Sequence, residues 1–347
     1  MRSIEYFDEV YFKEQLLRLL EIDSTTGRCE EISSYVIGEI GRLGIPCTES
    51  HKGGVIAELG GEGNGLVLTA HLDDIGLMVR HVNADGTLKV VSIGGLHPFY
   101  CTGEHVRVYP FGGGCVTGTV CRIPNSIHVS EEELRQTLGD YRKNVCVVLD
   151  ADVHSAADVR ALGIDTGDYI ALEPHPVFTN GYIKSRFLDD KACAAVLLAV
   201  LKAVREHAIP LNRRVAAFFS VFEEIGHGTS WLPEGIGDIV ALDIAPIGPD
   251  QNSDEHKVTV FCKDSRFPYH RQLGDELRRA AIREEIDYVP DVFTPHYGSD
   301  GNTSVLAGHD VRHAAIGPGT GNSHGYERIH MDAIRDLFAL TLAYICG

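Results

Sequence analysis

The sequence predicts an α/β fold, a mixed sheet flanked by helices, into which a small antiparallel β-barrel-like domain is inserted. Three observations predict it. The two flanks of the chain alternate apolar runs with helix-like stretches, the texture of a largely buried sheet. From about 75 to 165 the texture changes to short alternating segments, LMVRHV, TLKVVSI, HVRVYP and VTGTVCRI, parted by Gly, Pro and Asn-Ala-Asp-Gly turns. That is the pattern of an antiparallel barrel. The length of 347 residues suits two domains of roughly 150 residues each. The expected division is 1–74 with 166–347 for the α/β part, and 75–165 for the insert.

The elements follow in order. Residues 5–21 read as a helix whose end gathers Leu16, Leu17, Leu19, Leu20 and Ile22, and Thr25-Thr26-Gly27 breaks it. A second amphipathic helix runs from near Glu30 to Leu43 and stops at Gly44. Val55 to Leu59 is a short strand. The following GGEGNG (60–65) lies between two strands, so it is a turn. A dinucleotide-binding loop would have to open a helix. Strand LVLTA (66–70) leads to the insert. Beyond it come a short strand YIKSRF (182–187) and the helix KACAAVLLAVLKAV (191–204). The strands VAAFFSVF (215–222), DIVAL (238–242) and VRHAAIG (311–317) follow, and a single helix closes the chain.

Composition excludes several functions. Thirty-one Lys and Arg against 49 Asp and Glu give a formal charge of −18, which rules out broad attraction to nucleic acid or anionic lipid. The longest near-apolar run, Ala192 to Leu201, is about half of the roughly 20 residues that a membrane span needs. The opening MRSIEYFDEV lacks the basic-then-apolar pattern of a signal peptide. The nine Cys include no C-x-x-C pair. A cytoplasmic protein with reduced, mostly buried thiols is the expectation.

The chemistry gathers where strands stop. LVLTA runs into His71, with Asp73 two residues on. VAAFFSVF runs into Glu223-Glu224, DIVAL into Asp243, and VRHAAIG into a Gly-rich loop carrying His324. The pair Asp189-Asp190 precedes the long apolar helix. Open α/β sheets collect ligands at the carboxyl ends of their strands. Two His and several carboxylates suit zinc, cobalt or manganese, and a set without Cys points to a catalytic rather than a structural site. Such a set fits two metals about 3.5–4 Å apart.

Each residue alone has a plainer reading: Asp189 as a helix cap, Asp243 as a turn residue, His71 as a surface His. Glu223-Glu224 is more telling, because neighbours in a strand face opposite ways and one of the two would be buried unpaired. A carboxylate at Asp73 can accept the second ring N–H of a metal-bound His71. Gly321-Asn322-Ser323-His324-Gly325 matches G-x-S-x-G. That hydrolase fold needs its acid and His on later strands, and only one helix follows. A glycosidase needs two carboxyls and has no use for two His.

The segments TAHLDDIGLMV, SRFLDDKACAAVL, FFSVFEEIGHG and ALDIAP, with the late His324, together resemble the dinuclear-metal aminopeptidases. That family includes glutamyl aminopeptidase, deblocking aminopeptidase and relatives once labelled endoglucanases. DSTTGRCEE (23–31) and DADVHSAADVRALGIDTGD (150–168) extend the resemblance over nearly the whole chain.

The resemblance implies a zinc-exopeptidase-like fold and removal of N-terminal residues from peptides. It implies two divalent metal ions per subunit, zinc first, with cobalt or manganese as alternatives. His71, Asp189, Glu224, Asp243 and His324 would be metal ligands, Asp189 bridging, with a cis bond to Asp190. Glu223 would be the general base for a metal-bridging water, and Asp73 would orient His71. Homo-oligomers from dimer to dodecamer are implied.

The chain departs from the pattern in three places. Lys191 replaces the usual Arg and Asp74 the usual Glu. In GTGNSHGYERIH, Glu327 follows His324 by three residues instead of four, which makes His330 a fallback ligand. His227 and His313 read as structural or pocket-lining. Rival expectations are a dinuclear deacylase of N-acyl amino acids or modified peptides, and a non-catalytic member of the family.

Overall fold

A computed structural model describes residues 2–123, 126, 128 and 139–346. The first strands are β1 (Cys47–Glu49), β2 (Val55–Gly60) and β3 (Gly65–His71). The barrel strands follow: β4 (Gly76–Val82), β5 (Leu88–Ile93), β6 (His105–Tyr109), β7 (Val116–Arg122), β8 (Val145–Leu149) and β9 (Tyr169–Leu172). Then come β10 (Val177–Thr179), β11 (Tyr182–Ser185), β12 (Val215–Ser220), β13 (Ile236–Leu242), β14 (Ala245–Pro246), β15 (Val258–Lys263), β16 (Tyr288–Val292), β17 (Arg312–Thr320) and β18 (Glu327–His330).

The main sheet runs β1-β2-β12-β3-β13-β17-β15-β16, with β14 beside the end of β17. Strands β12, β3, β13 and β17 are parallel neighbours, while β1-β2, β2-β12 and β15-β17 are antiparallel, so the sheet is mixed. Strand β3 is buried at every residue, which is why LVLTA is a continuous apolar run. The helix Leu188–Glu206 is buried along nearly its whole length. From Ala192 to Leu201 it is apolar all round, as an interior helix must be, and the helix Glu9–Glu21 packs on it.

The expected helix 5–21 is two pieces. A 3-10 turn covers Ser3–Tyr6, and the α-helix begins at Glu9 because the Asp8 carboxylate caps it, accepting from the Tyr11 N–H at 3.0 Å. YIKSRF forms the expected short strand, over Tyr182–Ser185. Its strand, β11, joins β10 and β18 in a separate three-stranded sheet.

Strands β4-β5-β8-β7-β6-β9 close into an antiparallel barrel. Its sixth strand, Tyr169–Leu172, lies beyond residue 165, so the barrel reaches past the 75–165 span expected for the insert. A charged latch fastens it to the rest of the chain. Asp23 accepts from Arg107 Nε and Nη2 at 2.5 and 2.6 Å and from the Tyr109 hydroxyl, while the Arg28 guanidinium lies 3.7 Å over the Tyr109 ring. No helix of the described residues is long and apolar enough to cross a membrane.

Candidate metal centre

Parallel pairing brings the carboxyl ends of β3, β12 and β13 to one edge of the sheet. His71 is the last residue of β3 and Asp243 the first after β13. β12 ends at Ser220, and a turn through Phe222, whose φ is 68°, carries Glu223-Glu224 outward. His324 comes from the loop after β17. Asp189 enters from the start of the long buried helix, not from a main-sheet strand, and its peptide bond to Asp190 is cis.

Asp189 stands at the centre. Its Oδ1 is 3.1 Å from His71 Nε2 and its Oδ2 is 3.5 Å from His324 Nε2. Glu224 Oε2 lies 3.6 Å from His324 Nε2, and Glu223 Oε2 lies 3.9 Å from His71 Nε2. Candidate ligand atoms of His71, Asp189 and Glu224 all fall within 4.8 Å of one another, and so do those of Asp189, Asp190 and Asp243. The structure therefore gathers His71, Asp189, Glu223, Glu224, Asp243 and His324 around one point. All but His71 line a cleft of about 670 Å³ whose apolar wall includes Ile225, Pro246, Ile247 and Phe293.

Asp73 is held differently from the expectation. The His71 Nδ1 is met at 2.9 Å by the Asp73 main-chain carbonyl, while the carboxylate stands 3.7 Å away. The carboxylate instead accepts the Glu223 N–H at 3.1 Å, the Glu224 N–H at 3.3 Å and the Thr26 hydroxyl at 2.8 Å. Asp73 thus fixes His71 through its backbone and the Glu pair through its side chain.

Two buried acids escaped the sequence reading. Glu327 spans the site from behind: one oxygen accepts the Asp189 N–H at 3.0 Å, the other the His324 N–H at 3.1 Å. The sequence had shown it only as an oddly spaced acid. Asp300 accepts from the Thr69 hydroxyl at 3.1 Å, the Thr229 N–H at 2.9 Å and the Ser220 hydroxyl, joining β3, β12 and a distant loop. Nothing local in YGSDGN marks it.

Two of the three departures from the expected pattern prove to be partners. Lys191 Nζ donates to Asp74 Oδ2 at 2.6 Å and to the Ile22 carbonyl at 2.9 Å, with both side chains buried. His227 stacks on Phe222, and His313 is a buried ring beside Phe267 and Tyr269. His330 lies in another cluster, with His256 and Asp332.

The charge of the site is unbalanced. Burial pushes the carboxyls of Glu223, Asp243 and Asp190 well above the usual range, and neighbouring acids push them further. Glu224 is raised to about 8, again by burial first. His71 is held well above the ordinary imidazole value by Asp189 and its acidic neighbours, against the opposing effect of burial. One oxygen of Asp190 has no hydrogen-bond partner. Two imidazoles do not balance this many buried carboxylates, and divalent cations would. The N/O donor set suits them.

Comparison with known proteins bears on this geometry. The sequence profile of a family described as M42 glutamyl aminopeptidase matches residues 53–340. The chain is 35% identical over 336 residues to the "Putative aminopeptidase YhfE" of Bacillus subtilis, covering 96% of each. Among solved structures, an aminopeptidase of the archaeon Desulfurococcus kamchatkensis superposes with a TM-score of 0.84 at 21% identity, covering 96% of this chain and 94% of that one. The Pyrococcus horikoshii TET1 peptidase, described as assembling into a tetrahedron or a large octahedral shell, gives 0.83 at 22% identity, with 96% and 98% covered.

Proposed function

The chain belongs to the M42 glutamyl aminopeptidase family, and on that premise we propose that it removes N-terminal residues from peptides with two divalent metal ions at the cleft. The observation that supports this is the cluster of buried, mutually repelling carboxylates around His71, Asp189 and His324. His71, Asp189, Glu224, Asp243 and His324 are the ligands in this reading, with Asp189 between the two His. Bound there, the ions, zinc first, would acidify a water, polarise the scissile carbonyl and offset the surplus negative charge.

The rest is work for the chain's own residues. Glu223 takes the proton of the attacking water and gives it to the leaving amine. The Asp73 carboxylate holds the Glu223 and Glu224 amides, so the base and its neighbour keep their spacing. Glu327 does the same for Asp189 and His324. The carboxylates hold the free α-amine of the substrate, which limits cleavage to chain ends. The apolar cleft wall receives the first side chain. The assemblies named for the Pyrococcus relative support a homo-oligomer, and nine free thiols suit the reducing cytoplasm.

The test is a panel of aminoacyl substrates with zinc, cobalt and manganese, run beside free and N-blocked peptides. Free peptides should be trimmed and N-blocked ones left whole. Cleavage of the N-acyl substrates alone would replace this reading with a deacylase. Bound metal with no hydrolysis anywhere would make the protein a non-catalytic family member.

A further inference from the structure

Away from the cleft, two imidazoles and a carboxylate converge from three parts of the chain. His256 sits in the turn before β15, His330 closes β18, and Asp332 lies in the first turn of the final helix, Met331–Cys346. None of the three lines the cleft. One candidate ligand atom from each falls within 4.8 Å of the others. We infer that His256, His330 and Asp332 form a further divalent-metal site of the zinc type.

The spacing supports a shared cation. Asp332 Oδ2 is 3.0 Å from His256 Nδ1 and 3.0 Å from His330 Nδ1. Ligands placed about 2.0–2.2 Å from a tetrahedral zinc lie about 3.3 Å from each other. The side chains are thus almost at ligand spacing already.

The hydrogen bonding of His330 adds a second argument. Its Nδ1 is 3.2 Å from the Asp332 N–H, a donor, and 3.0 Å from Asp332 Oδ2, an acceptor. One ring nitrogen cannot carry a proton for the carboxylate and a lone pair for the amide. A cation beside Asp332 Oδ2 would replace that proton, with the Nδ1 lone pair turned to the cation in place of the 3.2 Å amide contact. The two rings also face each other, with centroids 3.9 Å apart and planes 34° off parallel.

The surroundings hold the set in place. Tyr182 sets its hydroxyl 3.3 Å from His256 Nε2 and its ring edge-on to His330. Gly181, at φ 82°, leaves room for the imidazole: a Cβ there would come within 2.3 Å of His330 Nε2. Arg335 bonds the other Asp332 oxygen, Oδ1, at 3.2 Å and leaves Oδ2 to the His pair. His256 and Asp332 are about half exposed, so water can fill a fourth position. Three protein ligands with one open place is coordination that zinc accepts.

Zinc bound per chain measures the proposal, by elemental analysis of the full-length protein after equilibration with excess zinc and removal of loose ions. His256→Gln should hold one equivalent fewer than wild type, and Asp332→Asn should lose the same equivalent. Both should trim aminoacyl substrates at the wild-type rate, since neither residue touches the cleft. Equal zinc content in wild type and both variants overturns the site and leaves the cluster as a hydrogen-bonded His–Asp set. That outcome is separate from any failure of the aminopeptidase reading, because the measurement does not depend on turnover.

Discussion

Strand β13 has a buried aspartate near each end, and the two are treated in opposite ways. Near the start, Asp238 accepts from Arg213 Nη1 at 2.6 Å and from Arg312 Nε and Nη2 at 2.7 and 2.6 Å. Those partners hold its carboxyl below the usual range in spite of burial. Asp243, just past the other end, has its carboxyl pushed well above the usual range by burial first and then by Asp189 and Asp300, against His71 and Tyr297. The sheet is the same, the side chain is identical, and neither residue is exposed to solvent. The difference is whether the chain supplies the counter-charge itself. Asp238 is held by the scaffold, while in the proposed reading Asp243 would take its counter-charge from a cation.

The largest expected effect is at the acid with the most specific task. Glu223→Gln should lower kcat/KM on an aminoacyl substrate by about 10²–10⁴-fold, with bound metal unchanged by elemental analysis. Near-normal turnover with full metal would remove Glu223 as the base. Next, the two ends of β13 should respond with opposite signs. Asp238→Asn leaves two guanidiniums facing a neutral amide and should cost roughly 3 kcal/mol in denaturant unfolding. Asp243→Asn should strip metal and activity, yet leave the metal-free protein as stable as before or more so. An equal loss of stability in both variants would erase the contrast.

Glu327→Gln keeps the shape but offers one acceptor where two amides need one each. A loss of about 10–100-fold in metal affinity or activity is expected, in line with other groups that orient metal ligands. A change confined to Tm would reduce Glu327 to a packing role.

The smallest effects concern pH. The folded pKa of Asp238 is depressed, so its contribution is present above the ordinary carboxylate value and is lost as pH falls through the folded one. The Asn variant should show a flatter acid limb of Tm against pH. Burial lowers His313 to about 4. The unfolded chain, titrating near 6.5, therefore binds more protons between these values, and stability should fall as pH drops from about 6.5 to about 4. His313→Gln should remove that slope, up to about 1.4 kcal/mol per pH unit. An unchanged slope would assign it to other groups.

Much of this was legible in the sequence, for a local reason. Strands β3, β12 and β13 are buried on both faces, so each is an apolar run that ends abruptly at His71, Glu223 or Asp243. The barrel announced itself through its turns. What stayed hidden depends on partners remote in sequence. Nothing in YIAL says that it pairs with β4 and β6 and closes the barrel. Nothing in YIKS says that it leaves the main sheet for β10 and β18. Glu327 and Asp300 are ordinary loop acids until the fold brings amides and hydroxyls to them. The choice between His324 and His330 was open for the same reason. They lie six residues apart, yet one meets Asp189 and the other His256.

The buried bond between Lys191 and Asp74 carries a consequence for descent. At these positions the resemblance to the aminopeptidases implies Arg and Glu where the chain has Lys and Asp, and each change shortens a side chain. Interiors are packed closely enough that one shortened partner would leave a gap, and one lengthened partner would collide. The two sites are 117 residues apart in sequence and 2.6 Å apart in space. Lineages should therefore keep Arg with Glu or Lys with Asp and lose the crossed pairs, so that two codons are inherited as one character.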